Sequence, residues 1–143
     1  MIYLDTSIVV ALLTAEVNSG VALDWFSDCS DQLVSTDWLI TEIHSALGIK
    51  HRHYGLSKAD WEDAEQQLEQ LLSGPVLLRP LDRVCFHQAS TLLKNPDLGL
   101  RAGDALHLAG ALHLGCTQVA CFDARMLSAA VQLGLPSALV VQP

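Results

Sequence analysis

Met1-Ile2-Tyr3-Leu4-Asp5-Thr6-Ser7-Ile8-Val9-Val10-Ala11-Leu12-Leu13 opens the chain with a short apolar run, an acid at its end and a second apolar stretch. Met1 to Leu4 reads as a strand, and Ile8 to Leu13 as a helix with Ser7 placed to cap it. The same alternation recurs down the chain. Ser19 to Cys29 reads as a helix, Leu33 to Thr36 as a strand, and Asp37 to Arg52 as a helix with Asp37 at its N-cap. Within it, Leu39, Ile43, Ala46 and Leu47 fall at i, i+4, i+7 and i+8, one face of a helix. Ser57-x-x-Asp60 resembles a capping box and opens a helix to about Leu72, which Ser73-Gly74-Pro75 ends. Val76 to Leu78 (strand), Asp82 to Lys94 (helix), Asn95 to Arg101 (loop), Gly103 to Leu114 (helix), Gln118 to Phe122 (strand), Ala124 to Leu133 (helix) and Ala138 to Val141 (strand) follow.

Strands alternating with helices argue for a parallel sheet covered by helices on both faces. The 143 residues suit one domain spanning 1–143, with no repeat or low-complexity tract to divide it. In open sheets of this kind ligands bind beyond the carboxyl ends of the strands, where strand order reverses. The acids at strand ends therefore carry the functional question.

Composition narrows the classes. Half of the residues are apolar and 17% are charged, so the chain is expected to fold. No targeting segment is expected from Met1 to Asp5, and Ile8 to Leu13 is too short to span a bilayer. The four cysteines, Cys29, Cys85, Cys116 and Cys121, form no C-x-x-C pair, which suits free thiols and a cytoplasmic location. A formal net charge of −8 opposes nucleic-acid binding unless some of the acids hold cations. The acidic run from Asp60 to Glu69 reads as a solvated helix face. Trp25, Trp38 and Trp61 read as packing residues rather than base-stacking platforms.

Four acids stand out. Asp5 ends the first strand and Asp123 the fourth, although each could equally be a turn or capping residue. Glu42 borders the apolar stripe of its helix, where an unpaired glutamate is unusual. Asp104 lies in a first helical turn, where it also complements the helix dipole. Carboxylates brought that close repel one another and raise each other's pKa, and a hard cation relieves the repulsion. Mg²⁺ and Mn²⁺ are the oxygen-seeking candidates. His44 and His107 sit near these acids in sequence, but a packed or solvated helix histidine is the commoner outcome.

Ile2-Tyr3-Leu4-Asp5-Thr6-Ser7, Thr41-Glu42-Ile43-His44-Ser45-Ala46-Leu47, Leu100-Arg101-Ala102-Gly103-Asp104-Ala105-Leu106-His107-Leu108-Ala109 and Val119-Ala120-Cys121-Phe122-Asp123 together resemble PIN domains, especially the VapC-type toxins of bacterial toxin–antitoxin pairs. The resemblance implies a three-layer α/β sandwich with a five-stranded parallel sheet in the order 3-2-1-4-5. It implies an Mg²⁺- or Mn²⁺-dependent endoribonuclease that cuts RNA phosphodiester bonds and restrains translation or growth. It assigns Asp5, Glu42, Asp104 and Asp123 to catalysis and metal binding, Glu42 also through water, with Thr6 or Ser7 in support. Cys121 stands where many relatives have Thr or Ser, and a thiol is the weaker hydrogen-bond partner. Arg101, Lys50 and Arg52 are candidate RNA contacts. A homodimer and an antitoxin that places an arginine in the acidic pocket are the implied protein partners, and no membrane is implied.

Other readings fit less well. An aspartyl-nucleophile phosphatase resembles Asp-x-Asp, and the second acid is here Ser7. A receiver-like phosphoacceptor would need a late lysine, which Gln118 to Pro143 lacks. A PIN-like binding module without catalysis is the remaining alternative, against which the complete set of acids stands.

Overall fold

The computed structural model describes residues 1–139. The elements in order are β1 (Ile2–Leu4), α1 (Thr6–Leu13), α2 (Ser19–Asp28), β2 (Leu33–Thr36), α3 (Trp38–His53), α4 (Lys58–Ser73), β3 (Val76–Arg79), α5 (Arg83–Leu93), α6 (Ala102–His113), β4 (Gln118–Ala120) and α7 (Ala124–Gln132). The stretch between α5 and α6, expected to be plain loop, holds a 3₁₀ turn at Pro96–Leu98, closed by Gly99 at φ +63°.

The strands form one parallel sheet in the order β3-β2-β1-β4. Neighbours run as expected, but the described residues contain four strands and not five. Where the fifth was expected, Ser137 makes a single parallel bridge with Val119, and Ala138 N–H donates to Val119 at 2.9 Å. Pro136 has no N–H to give a ladder, and the Ser137 hydroxyl accepts from Leu139 N–H at 3.2 Å. A serine that bonds its own backbone competes with strand pairing in this way. Residues 140–143 of that expected strand lie outside the described residues.

Alternation along β1 separates the two faces. Ile2 and Leu4 pack with Leu33, Val76 and Ala120 against α1, α3 and α4, joined by Trp25 and Phe26 of α2. Tyr3 points the other way, with Val34 and Val119, into α6 and α7. A third cluster ties α5 to α6 through Cys85, Ala89, Ala105 and Ala109. The result is a three-layer sandwich, helix on sheet on helix. No helix among the described residues is long and apolar enough to cross a membrane.

Two expected caps differ. The Asp5 carboxylate, not Ser7, caps α1 by accepting from Ser7 N–H at 3.0 Å, because the helix starts directly after the strand. Asp37 is itself helical, at φ −55° and ψ −21°, and its side chain caps nothing. Ser57 caps α4 as the sequence suggests, accepting from Asp60 N–H at 3.0 Å.

Gly110 sets how closely α6 approaches the sheet. A Cβ there would lie 3.0 Å from the Thr36 methyl and 3.4 Å from the Tyr3 hydroxyl, both on buried strands. Gly110→Val is expected to destabilise the protein by roughly 1–3 kcal/mol through overpacking. The check is the urea midpoint, and an unchanged midpoint would show that the two layers can move apart freely.

Candidate active site

Parallel pairing of β1 with β4 puts Leu4 beside Ala120, and Asp5 N–H donates to Ala120 at 3.0 Å. The chain runs from β1 to β2 on one side and pairs with β4 on the other, so strand order reverses at β1. Asp5 and Asp123 therefore leave the sheet at the same edge. α3 brings Glu42 to that edge from one helical layer, and the first turn of α6 brings Asp104 from the other.

Each acid is held by one oxygen. Asp5 is 6% exposed, and its Oδ2 accepts from Ser7 N–H at 3.0 Å, the Ser7 hydroxyl at 2.5 Å and the Cys121 thiol at 3.3 Å. Glu42 Oε2 accepts from the Thr6 hydroxyl at 2.6 Å and lies 2.5 Å from His107 Nε2. Asp104 Oδ2 accepts from Arg101 N–H at 3.0 Å. Asp123 Oδ1 caps α7 by accepting from Arg125 N–H at 2.8 Å and Met126 N–H at 3.0 Å. So the structural roles weighed for Asp5 and Asp123 are real, and each still leaves the other oxygen without a hydrogen bond among the described residues. The same holds for Glu42 Oε1 and Asp104 Oδ1. Cys121, besides its bond to Asp5, accepts from Asp123 N–H at 3.1 Å, so the thiol links both strand-end acids.

Charge is concentrated here. Burial pushes the Asp104 carboxyl above its usual range, and the negative charges of Asp123, Asp5 and Glu42 add to the shift, against the Arg101 N–H. Asp123, Asp5 and Glu42 are therefore near charges for Asp104, with burial the larger cause of the shift. For Glu42, burial also works to raise the pKa, but the His107 hydrogen bond and charge outweigh it and hold the carboxyl below its usual value. The ligand atoms of Asp5, Glu42 and His107 lie within 4.8 Å of one another.

His44 and His107, alike as helix histidines in sequence, diverge in the structure. His44 is exposed, bonded to Ile40 O at 2.7 Å and facing Glu65 at 3.0 Å. His107 is 1% exposed and lies inside the acidic pocket. A histidine three residues after Asp104 on one helix face was the available signal; what it would meet was not. Gly103 is the second residue that sequence reasoning passed over. A Cβ there would lie 2.6 Å from Glu42 Oε1 and 3.5 Å from Trp38 Nε1. The Trp38 indole N–H is buried there without a hydrogen-bond partner among the described residues. The missing side chain is thus the cradle for the Glu42 carboxylate.

The cationic residues are dispersed. Arg101 is exposed beside Asp104. Lys50 and Arg52 lie farther along α3, about 12 and 15 Å from Glu42 at 1.5 Å per residue. Lys50 Nζ is 2.7 Å from Glu16, at the wall of a separate cavity of about 760 Å³.

A parallel α/β sandwich with a carboxylate pocket at its switch point defines a class of site able to grip a divalent cation. The donors fit one. They are hard oxygens, each acid keeps one without a hydrogen bond among the described residues, that of Asp5 lying 3.5 Å from His107 Nε2, and Gly103 leaves room at Glu42. The PIN domain family model matches residues 2–132. The chain belongs to the PIN domain family, in its VapC-type ribonuclease branch. It is 32% identical over 141 residues to Ribonuclease VapC35 of Mycobacterium tuberculosis, covering 94% of this chain and 93% of that protein. The crystal structure of VapC20 of Mycobacterium tuberculosis, a Sarcin-Ricin loop cleaving toxin, superposes with a TM-score of 0.74 over 90% of this chain and 95% of that one, at 18% identity. VapBC2 from Rickettsia felis, bound to a DNA fragment from their promoter, superposes at 0.63 over 96% and 97%, at 12% identity.

The crowding has a measurable consequence. Asp104 has a raised folded pKa, so its contribution to stability is intact at low pH and lost as pH rises through that pKa. Asp104→Asn keeps the oxygen that accepts from Arg101 and removes the charge. In EDTA it is expected to raise stability at pH 7 by no more than about 1 kcal/mol. The gain should vanish as pH falls to about 4, where the unfolded carboxyl also protonates. Melting curves at both pH values check it.

Proposed function

We propose that this protein is a divalent-cation-dependent endoribonuclease, the toxin of a type II toxin–antitoxin pair, that hydrolyses RNA phosphodiester bonds. The observation that carries the reading is the gathering of Asp5, Glu42 and His107 within 4.8 Å of one another at the edge of β1 and β4, with Asp104 and Asp123 near enough to add to the negative charge. The names of its relatives, a ribonuclease and a Sarcin-Ricin loop cleaving toxin, support the reaction class.

In this reading Asp5, Asp104 and Asp123 hold Mg²⁺ or Mn²⁺, directly or through water, by the oxygens their helix caps leave free. Bound there, the cation supplies Lewis acidity, lowering the pKa of water and stabilising charge on a phosphoryl oxygen. Glu42 orients the attacking water or holds the ion through water. Ser7 and Cys121 fix Asp5, and Thr6 fixes Glu42. Attack by water leaves 5′-phosphate and 3′-hydroxyl ends. Arg101 at the rim meets the scissile phosphate and Arg52 a phosphate farther along the strand, while Lys50 is held by Glu16.

The protein acts in the cytoplasm as a homodimer, restrained by an antitoxin whose basic segment enters the pocket. The net charge of −8 suits such an inhibitor.

Total RNA incubated with Mg²⁺ or Mn²⁺ should be cleaved by the wild type and left intact in EDTA. Asp5→Asn should reduce the rate on the order of a hundredfold or more, as loss of one preorganised charge does elsewhere. Cleavage in EDTA, or full activity in Asp5→Asn, would sink the mechanism. Gly103→Ala offers a milder test. Its Cβ displaces only the end of Glu42, so stability should stay within about 1 kcal/mol of wild type while cleavage falls.

A further inference from the structure

Beneath the four acids lies a chain of polar groups that their chemistry does not account for. The Thr36 hydroxyl meets the Tyr3 hydroxyl at 2.9 Å, Tyr3 meets His107 Nδ1 at 2.9 Å, and His107 Nε2 meets Glu42 Oε2 at 2.5 Å. Thr36, Tyr3 and His107 are each no more than 1% exposed. Polar groups that deep in a core are retained only where every member is satisfied. Here the chain starts on β2, passes through β1 and α6, and ends on α3. It joins the two helical layers at the edge of the sheet where the acids gather.

We infer that His107 is a positioning residue for Glu42, and not itself a ligand of the cation. Nε2 faces two carboxylate oxygens, Glu42 Oε2 at 2.5 Å and Asp5 Oδ1 at 3.5 Å, and a hydrogen on the nitrogen avoids setting its lone pair against both. Nε2 therefore carries hydrogen and has no lone pair to offer a metal. Nδ1 is engaged by Tyr3, whose hydroxyl either donates or accepts, with Thr36 completing the chain in both cases. Thr6 supplies the second donor to Glu42 Oε2 at 2.6 Å. Two donors on Oε2 fix the carboxylate plane and leave Oε1 in the space opened by Gly103.

The spacing along α6 explains how one helix does this. Gly103, His107 and Gly110 stand at i, i+4 and i+7, one stripe facing the sheet. Gly103 makes room for Glu42 and Gly110 makes room for Tyr3, with contacts of 2.6 and 3.4 Å to the Cβ positions they lack. His107 between them reaches both. Hydrogen-bonded supports of metal-binding carboxylates commonly matter by ten- to a hundredfold in metal affinity.

The inference rests on the proposed metal-dependent reading, because it requires a cation for Glu42 to serve. Mn²⁺ binding, read by electron paramagnetic resonance without RNA, tests it. His107→Ala is expected to weaken Mn²⁺ binding on the order of ten- to a hundredfold. His107→Gln, whose amide N–H can replace Nε2–H, is expected to recover most of that loss. In cleavage assays the half-saturating Mn²⁺ concentration should rise in His107→Ala while KM for RNA stays put. Pulsed resonance on the wild type, which needs no variant to fold, should show no ¹⁴N coupling from a directly bound imidazole. Such a coupling overturns the inference, as does wild-type Mn²⁺ affinity in folded His107→Ala, or a folded His107→Gln no better than alanine. A wild type that binds no Mn²⁺ overturns the proposed function together with this inference. Binding by the wild type with an indifferent His107→Ala overturns this inference alone.

Discussion

Mutual repulsion of carboxylates at one edge of the sheet is the constraint around which the rest is arranged. Asp5, Glu42, Asp104 and Asp123 come from β1, α3, α6 and the end of β4, and no local preference of any one segment would collect them. Burial is the main cause that raises the Asp104 pKa, and the charges of Asp123, Asp5 and Glu42 add to it. The fold offsets the repulsion by giving each acid a second task. Asp5 and Asp123 cap α1 and α7, Asp104 binds the backbone at the start of α6, and Glu42 is bonded to Thr6 and His107. A cap is worth about 1 kcal/mol, similar in scale to the repulsion between partly solvated charges. The bland and the functional readings of these acids are therefore one arrangement. Helix starts hold one oxygen of Asp5, Asp104 and Asp123, Thr6 and His107 hold one of Glu42, and the second oxygen of each is left without a hydrogen bond among the described residues.

Much of this was legible because it depends on short-range pattern. The apolar run from Met1 to Leu4 and the stripe of Leu39, Ile43 and Leu47 mark a strand and a helix face, and Ile2, Tyr3, Leu4 and the stripe are all buried. Ser57 with Asp60 announces the start of α4. Where expectation and structure part, a local competitor decides. Asp5 outcompetes Ser7 as a cap because no loop separates β1 from α1. Pro136 and the Ser137 hydroxyl reduce the fifth strand to a bridge among the described residues.

His107 was illegible for a different reason. Its meaning depends on Tyr3 and Glu42, residues 104 and 65 positions away. In sequence it is a polar residue on a largely apolar helix face, and most such histidines are merely packed. Gly103 and Gly110 carried the missing information. Glycine inside a helix costs about 1 kcal/mol relative to alanine, and two of them seven residues apart bracket the histidine. Such a pair signals that something must come close to α6 on that side. The acidic tract from Asp60 to Glu69 was read more easily, since a charged helix face needs no distant partner.

The same helix also bears on how an acidic protein meets a polyanion. Lys50, one of the few cations near the site in sequence, is taken by Glu16, and the exposed cations beside the pocket are Arg101 and Arg125. Two arginines cannot balance a net charge of −8 over any distance beyond the Debye length, about 8 Å at physiological salt. On the proposed reading, attraction for RNA would be short-ranged and centred on the four acids, where a divalent cation offsets about half of their negative charge. Without a cation the four carboxylates repel a phosphate, and a bound divalent ion would give that phosphate a direct oxygen-seeking contact inside an acidic surface. On that reading binding and reaction both depend on occupancy of the acids. A basic protein segment that takes the same place blocks both at once.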